Sequence, residues 1–334
     1  MKKILFMIAC CLMATAQNVF ADDYGKIFLQ HNGNITSVFD GSDISKSIEA
    51  AVDGDTLFLS LGRFSSDFTI NKSICLIGSG AEAGNDSQRS TYIDWDSNPR
   101  IDAGDGTILS SVTIEGIFSG PGFYVQGKIE NLVFKKCCFY NTLGISNNSN
   151  GGYTKKAIID RCRLDHISTD GNIQDATIKN CKIRNAYGQG GQNISSCKFI
   201  NCNIRQVNSN TKAMFVNSII NQVNDGTDSY LSSQSLLVNT LYHNMIGYDP
   251  MQNCSQQDCW SSTETLIPNT DDCSLTADQL KEAGYLGTDG TIIGCEGGVN
   301  PYSLVRHAPV ITQKGVKVDL NNKKVIINVN VTAK

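Results

Sequence analysis

Six segments of the sequence share one pattern, and this repeat limits the possible folds more than any other feature. Each segment has a large apolar residue, a small residue three positions later, and a second apolar or aromatic residue two positions after that. The small residues lie 16 to 25 residues apart, at Cys137, Cys162, Cys181, Cys202, Ser218 and Thr240. Repeats of this kind are typical of solenoid proteins, in which each repeat packs only on its neighbours.

The composition of the repeats selects one type of solenoid. They are rich in β-branched residues and asparagine and show no helical periodicity, which excludes leucine-rich and helical repeats and predicts a parallel β-helix. Because its coils stack about 4.8 Å apart, equivalent side chains form columns. We therefore predict a buried column of reduced thiols at Cys137, Cys162, Cys181 and Cys202. Disulfides between rungs are the alternative. A ladder lacks the closely paired cysteines of a metal site, so we predict no metal or cofactor.

The position just before the small residue is asparagine in four of the six repeats. We expect these residues at a shared corner with left-handed backbone, their amides bonding the coils above and below. They are Asn180, Asn201, Asn217 and Asn239, and Lys136 and Arg161 interrupt the series at its start.

Residues 42–59 have the pattern of an N-terminal cap. Ile44, Ile48, Ala51 and Val52 fall on one face of a predicted helix, Ser42 or Asp43 can cap it, and Gly54 ends it before an apolar strand. Together with the repeats, this segment resembles secreted bacterial proteins of the pectin-lyase-like class. The resemblance implies an all-β, single-stranded right-handed parallel β-helix with a short N-terminal capping helix and a C-terminal β-hairpin-like tail.

The sequence divides into three parts. Residues 1–21 have two lysines, an apolar run and a small-residue cleavage site at Ala21, which predicts a signal peptide and export to the periplasm, outer surface or medium. Lipoprotein processing at Cys10 or Cys11 is the alternative. The apolar run is too short to predict a transmembrane segment. Residues 22–302 are expected to form the β-helix, and residues 303–334 the C-terminal β tail.

The repeat pattern is lost after Tyr248, where the composition becomes polar and rich in cysteine. In an exported protein we expect two disulfides here, Cys254 with Cys259 and Cys273 with Cys295, although four cysteines allow three pairings. Residues 287–298 resemble the closing coil of secreted β-helix proteins. Residues 315–320 and 325–331 alternate with period two and predict a hairpin, or an edge that docks on a neighbouring molecule.

The repeats also predict which side chains point outward along one sheet. Four cations share this face in consecutive coils, at Arg163, Lys182, Arg184 and Arg205. We call these four residues the basic patch, and Asp165 and Tyr140 are expected beside it. Arginine binds carboxylates in a bidentate manner, so the basic patch fits a uronate-rich polysaccharide. An ordinary solvated charged surface is the alternative interpretation.

The sequence identifies no catalytic residue. The acidic pairs Asp94 with Asp96, Asp102 with Asp105, and Asp271 with Asp272 fit acid and base chemistry, but acids in turns usually bond backbone. The Gly-His-Gly and Arg-Ile-Lys motifs that resemblance to polygalacturonases would require are absent. His166 is expected to be a hydrogen-bonded corner residue.

Two function classes follow from these features. The first is a non-catalytic exported module that binds a polysaccharide or a cell-surface glycan, or that serves a structural role. The alternative is a polysaccharide lyase or glycoside hydrolase acting on an acidic polysaccharide. The formal net charge of −4, without a basic tail, argues against nucleic acid as a partner.

Overall fold

The computed structural model describes residues 24–65, 67–82, 90–145, 152–169, 173–187, 195–208, 211–223, 230–244, 249–268, 272–304, 310–319 and 324–332. The expected signal peptide, Cys10, Cys11 and Asp271 lie outside these residues.

The described residues form a right-handed parallel β-helix of about eight turns, as the repeats predict. Sheet 1 contains, in spatial order, Asn34–Asp40, Lys26–His31, Thr56–Leu59, Cys75–Ile77, Thr113–Glu115, Val133–Lys135, Ile158–Asp160, Ala176–Lys179, Ser195–Ile200, Lys212–Val216, Leu236–Val238 and Ser255–Gln257. The two strands nearest the N-terminus, Asn34–Asp40 and Lys26–His31, are antiparallel to their neighbours.

Sheet 2 follows sheet 1 around each coil. Its main path contains Gly62–Phe64, Thr91–Ile93, Phe118–Ser119, Cys138–Ile145, Arg163–Thr169, Lys182–Tyr187, Asn203–Val207, Ile219–Val223, Leu241–His243 and Trp260–Ser262. Three further strands extend it sideways, Phe68–Ile70, Pro99–Asp102 and Phe123–Gln126. The smaller sheet 3 contains Ile108–Ser110, Lys128–Glu130, Tyr153–Lys155 and Ile173–Gln174.

The predicted register of the repeats is confirmed. The first apolar position of each segment pairs with its equivalent in the next coil and lies in the core, at Phe134, Ile159, Ile178, Phe199, Phe215 and Leu237. Stacking at this position gives contacts such as that between Phe199 and Phe215, whose ring centroids lie 5.1 Å apart. Burial of such columns in every coil supplies the stabilisation that a solenoid needs.

The cysteine column is also confirmed. Cys137, Cys162, Cys181 and Cys202 are buried and carry free thiols. Each coil is bonded to the next through this column, because Cys162 Sγ accepts from the Cys137 N–H at 3.4 Å and Cys181 Sγ accepts from the Cys162 N–H at 3.3 Å. Burial raises the pKa of Cys162 and of Cys202, so these thiols stay protonated.

The corner residues have the expected left-handed backbone, but their amides do not form a ladder. The four asparagines have φ between 45° and 51°, and Lys136 and Arg161 at the same corner have φ of 52° and 54°. Instead of bonding adjacent coils, Asn180 Nδ2 donates to the Gly297 carbonyl at 2.8 Å, and Asn239 Nδ2 donates to the Leu286 carbonyl at 3.1 Å. Asparagines of this corner therefore bind backbone near Leu286 and Gly297, which is distant in sequence.

The N-terminal cap contains one short helix, α1, from Ile44 to Ala50. Ile44, Ile48 and Ala51 are buried as predicted, whereas Val52 is 51% exposed because it lies beyond the end of the helix. The expected side-chain cap by Ser42 or Asp43 is also wrong: Asp43 is at the N-cap but its side chain forms no cap hydrogen bond, and Ser42 lies within a 3-10 turn, Gly41–Asp43, that leads into α1.

The coils continue further than the sequence predicted. Trp260 pairs with Leu241 in sheet 2, and Asp258 has φ of 51° at the corner before Cys259, so residues 255–262 form one more coil. Beyond it, residues 264–268 and 272–304 form a strap that includes helix α2, Ala277–Glu282. The strap lies against the outer surface of sheet 2, so residues 287–298, which it contains, do not form a closing coil.

The predicted disulfides are wrong, because Cys254, Cys259, Cys273 and Cys295 all carry free thiols. The Cys254 thiol is directed at the Ser232 carbonyl, 3.5 Å away, and the Cys259 thiol at the Gln257 carbonyl, 3.3 Å away. Cys273 and Cys295 line a cavity of about 290 Å³ between the strap and sheet 2.

The C-terminal hairpin is confirmed. Val310–Asp319 and Lys324–Thr332 pair in an antiparallel two-stranded sheet.

Candidate functional site

The structure brings the basic patch together on sheet 2, but much of it is bonded within the molecule. Arg163 and Lys182 are register partners, and Arg184 lies two positions further along the same strand as Lys182. The Lys182 ammonium forms an ion pair with Asp272 of the strap and lies 4.7 Å from the centroid of the Tyr302 ring. Its side chain is only 15% exposed. Burial acts to lower the pKa of Lys182, but Asp272, Cys295 and Glu296 together outweigh it and raise that pKa.

The Asp165 carboxylate forms an ion pair with a second cation of the basic patch, Arg184. Arg184 Nη1 lies 3.0 Å from Asp165 Oδ1, and His166 Nε2 lies 3.1 Å from Asp165 Oδ2. His166 also contacts the Asn185 amide at 3.1 Å, which confirms its position in a polar corner column. Arg163 is exposed and Arg205 is half-buried. The binding role of the basic patch stays a prediction, and ion pairs with Asp272 and Asp165 hold Lys182 and Arg184 within the chain.

Tyr140 lies in an aromatic cluster with residues from two earlier coils. Its ring centroid is 5.3 Å from that of Trp95, edge to face, and 6.3 Å from that of Phe118. Phe118 in turn contacts Tyr92 at 5.5 Å, and Leu304 at the end of the strap packs against this buried pair. Tyr140 is 55% exposed and Trp95 is 47% exposed, so aromatic surface is open to solvent above a buried apolar base.

Tyr124 extends this aromatic surface, and neighbouring glycines leave room for the rings of Trp95 and Tyr124. A Cβ atom on Gly120 would lie 2.9 Å from the Trp95 indole, and one on Gly144 would lie 2.7 Å from the Tyr124 ring. The aromatic side chains therefore pack directly on bare backbone, which only glycine allows at such distances. Tyr124 is 37% exposed. We call Trp95, Tyr124 and Tyr140 the aromatic face.

The largely buried carboxylate of Asp94 holds Trp95 of the aromatic face in place. The Asp94 carboxylate accepts hydrogen bonds from Arg63, from the Tyr92 hydroxyl at 3.0 Å and from the Trp95 backbone N–H at 2.8 Å. Burial acts to raise the pKa of Asp94, but Arg63 and the other two donors outweigh it and hold that pKa below its usual range. Asp94 is therefore ionised at neutral pH and cannot donate a proton as a glycosidase acid would.

The other acids considered from sequence have ordinary structural settings. Asp102 Oδ1 accepts the Gly104 N–H at 2.9 Å in a turn, and Asp96 is exposed. Asp272 pairs with Lys182. Among the described residues, no group of three or more histidine, cysteine, aspartate or glutamate side chains is arranged to hold a metal ion.

Sequence reasoning missed the aromatic face because Trp95 and Tyr124 lie outside the six-copy register. The available signal was the glycines at positions 120, 122 and 144, which leave room for rings on a sheet surface. Tyr153, a second tyrosine suited to stacking, lies apart in sheet 3, where Lys155 covers its ring at 4.3 Å and Glu130 accepts its hydroxyl at 3.1 Å.

Within the described part of the chain, no helix has both the length and the apolar character needed to cross a membrane. Comparisons with protein-family models, with curated proteins and with solved structures find no match to this chain.

Proposed function

We propose that the protein is an exported, non-catalytic module that binds glycans on its aromatic face. The observation that carries the proposal is that Trp95, Tyr124 and Tyr140 leave large parts of their rings in solvent, while Trp95 and Tyr124 pack on glycine backbone and Trp95 packs on Tyr140. Exposed apolar surface of this kind marks interaction sites on soluble proteins. Tryptophan and tyrosine offer a flat apolar surface with a polar edge, which suits the apolar face and hydroxyl rim of a sugar ring.

The rigidity of this surface also supports binding. Asp94 bonds the Trp95 backbone, and Gly120 and Gly144 allow the rings to lie close to the sheet. Side chains that are held in place before binding lose less conformational entropy when the ligand arrives. The same Asp94 is held ionised by Arg63, so this carboxylate beside Trp95 does not fit the role of the acid in a glycoside hydrolase.

A glycan array followed by titration calorimetry tests the proposal. We expect the wild-type protein to bind glycans, and we expect replacement of both Trp95 and Tyr140 by alanine to weaken binding about tenfold or more, since truncating aromatic anchors costs upward of about 1.4 kcal/mol. Tyr153→Ala is the matched control, because this tyrosine lies in sheet 3. Equal affinity of wild type and the double variant would contradict the proposal.

A further inference from the structure

The aromatic face does not end at Tyr124. On the outer surface of sheet 2, Tyr124 is the register partner of Arg100, and Arg100 is the register partner of Thr69. Their neighbours along the strands, such as Ile101 and Phe123, are buried inside the solenoid, so the alternating side chains of this row face outward. Neighbouring strands lie about 4.8 Å apart, which places Arg100 directly beside the aromatic face.

Arg100 also forms one wall of a groove between sheet 2 and helix α1. This groove has a volume of about 320 Å³, and we call it the helix groove. Its polar lining includes Glu49, Asp67, Thr69, Asn71, Asn98 and Arg100. Amides, a hydroxyl and carboxylates provide both donors and acceptors, and hydroxyl-rich ligands need both.

We propose that the helix groove is a second subsite, which binds further sugar residues of a neutral oligosaccharide whose first residues stack on the aromatic face. This inference rests on the proposed function, because the aromatic face supplies the anchor. The row from Tyr124 through Arg100 to Thr69 gives a continuous path between the two subsites. Arg100 donates to hydroxyl oxygens at the junction, while Glu49 and Asp67 accept from sugar hydroxyls.

Charge selects a neutral ligand over an acidic one. Glu49 and Asp67 are exposed carboxylates in the helix groove, Asp96 is an exposed carboxylate directly after Trp95, and Arg100 is the cation of the groove lining. The Lys72 ammonium beside α1 is held by the carbonyls of Ile48, Glu49 and Ala51. The lining of the helix groove itself therefore has one more carboxylate than cations, which disfavours the carboxylates of a polyuronate. The ligand class therefore differs from the uronate-rich polymer that the basic patch predicted.

Calorimetry with ladders of cello-, xylo- and manno-oligosaccharides, from disaccharide to hexasaccharide, tests the second subsite. We expect the affinity of the wild type to rise with chain length by about tenfold for the best ladder. In the variant with Asn98→Ala and Arg100→Ala, we expect disaccharide affinity to stay the same and the gain with length to disappear. A length-dependent gain that survives in this variant would overturn the second subsite. A cooperative thermal unfolding transition at the wild-type temperature is the control that the variant with Asn98→Ala and Arg100→Ala is folded.

Oligogalacturonates of the same lengths test the ligand class. We expect the wild type to bind them at least about tenfold more weakly than the best neutral ladder. The isosteric pair Glu49→Gln and Asp67→Asn should narrow that difference. Tighter binding of oligogalacturonates than of neutral sugars would overturn the inference. The proposed function would stay intact if Trp95→Ala still weakened the binding of oligogalacturonates. If Trp95→Ala leaves every affinity unchanged, the proposed function itself fails.

Discussion

On the outer surface of sheet 2, apolar side chains are buried in the C-terminal half and partly exposed in the N-terminal half. In the C-terminal half, Ile219 and Leu241 point away from the solenoid interior but are buried beneath the strap. In the N-terminal half, Trp95 and Tyr140 occupy the same surface and stay about half exposed. Burial of apolar area stabilises a fold by about 25 cal/mol per Å², so an uncovered aromatic surface forgoes stability. The comparison shows that the strap covers apolar side chains of sheet 2 in one half, whereas in the other half the described residues leave Trp95 and Tyr140 about half exposed.

Polar contacts show the same division. Asparagines of the C-terminal half bond the strap directly: Asn203 Oδ1 accepts from the Cys295 N–H at 3.1 Å, and Asn221 Oδ1 accepts from the N–H groups of Leu266 and Ile267 at 2.8 and 2.9 Å. In the N-terminal half, the buried carboxylate of Asp94 bonds residues of its own and neighbouring strands. The strap is therefore docked by specific hydrogen bonds as well as by apolar packing.

The interior beneath both halves gives the largest expected effect. Cys181→Asp should destabilise the protein by more than about 4 kcal/mol, because the column offers no cation to an ionised carboxylate. Cys181→Ser is the control, since Ser218 occupies the same column and donates to the Val216 carbonyl at 2.9 Å. Urea unfolding measures both variants. Similar midpoints for Cys181→Asp and wild type would contradict the cysteine column.

The comparison between the halves is tested directly by two truncations. Leu241→Ala should cost about 2–5 kcal/mol, because it leaves a cavity between sheet 2 and the strap. Tyr140→Ala should cost about 1 kcal/mol or less, because its ring is half exposed. Equal losses in urea unfolding would show that the aromatic face is as structural as the covered half.

The docking of the strap gives a smaller effect that is confined to one region. The Asn217 amide accepts from the Thr288 N–H at 3.0 Å and donates to the Thr288 hydroxyl at 3.3 Å. Asn217→Ala should cost about 1–3 kcal/mol and speed amide hydrogen exchange in the strap before the rest of the solenoid. Asn201→Ala is a matched control, because Asn201 has the same corner backbone and its Oδ1 has no partner among the described residues. Equal exchange rates in the strap of both variants would mean that the hydrogen bonds of Asn217 do not hold the strap.

The solenoid could be predicted from sequence because a stacked interior repeats one requirement in every coil. The positions of Phe134 and Cys137 require a side chain of a particular size in every coil. The requirement therefore appears in the sequence as a repeated register. The strap could not be predicted this way, since Asn217 and Thr288 are far apart in sequence and their contact has no period. Asn217 was assigned to its corner correctly, but its hydrogen-bond partner was wrong.

The candidate site shows the same limit. Tyr140 was placed outward correctly, but its neighbours were expected to be the cations of the basic patch. Trp95 comes from a coil outside the register, and its approach to Tyr140 depends on the missing side chain of Gly120. A position without a side chain, such as Gly120, leaves a weak signal in a single sequence. A row of charged residues such as Arg163 and Lys182 gives a strong one.

The smallest expected effect concerns pH and the support of the open half. The folded-state pKa of Asp94 lies below its usual value, so its contribution to stability is present above the unfolded carboxyl pKa of about 3.9 and is lost as pH falls through the folded value. Asp94→Asn should therefore lower stability by about 1 kcal/mol at neutral pH, and the difference from wild type should shrink below about pH 4. Thermal unfolding across this range measures it. A difference that grows as the solution becomes more acidic would mean that Asp94 is not held ionised by Arg63, and that the carboxylate beneath the aromatic face is able to carry a proton.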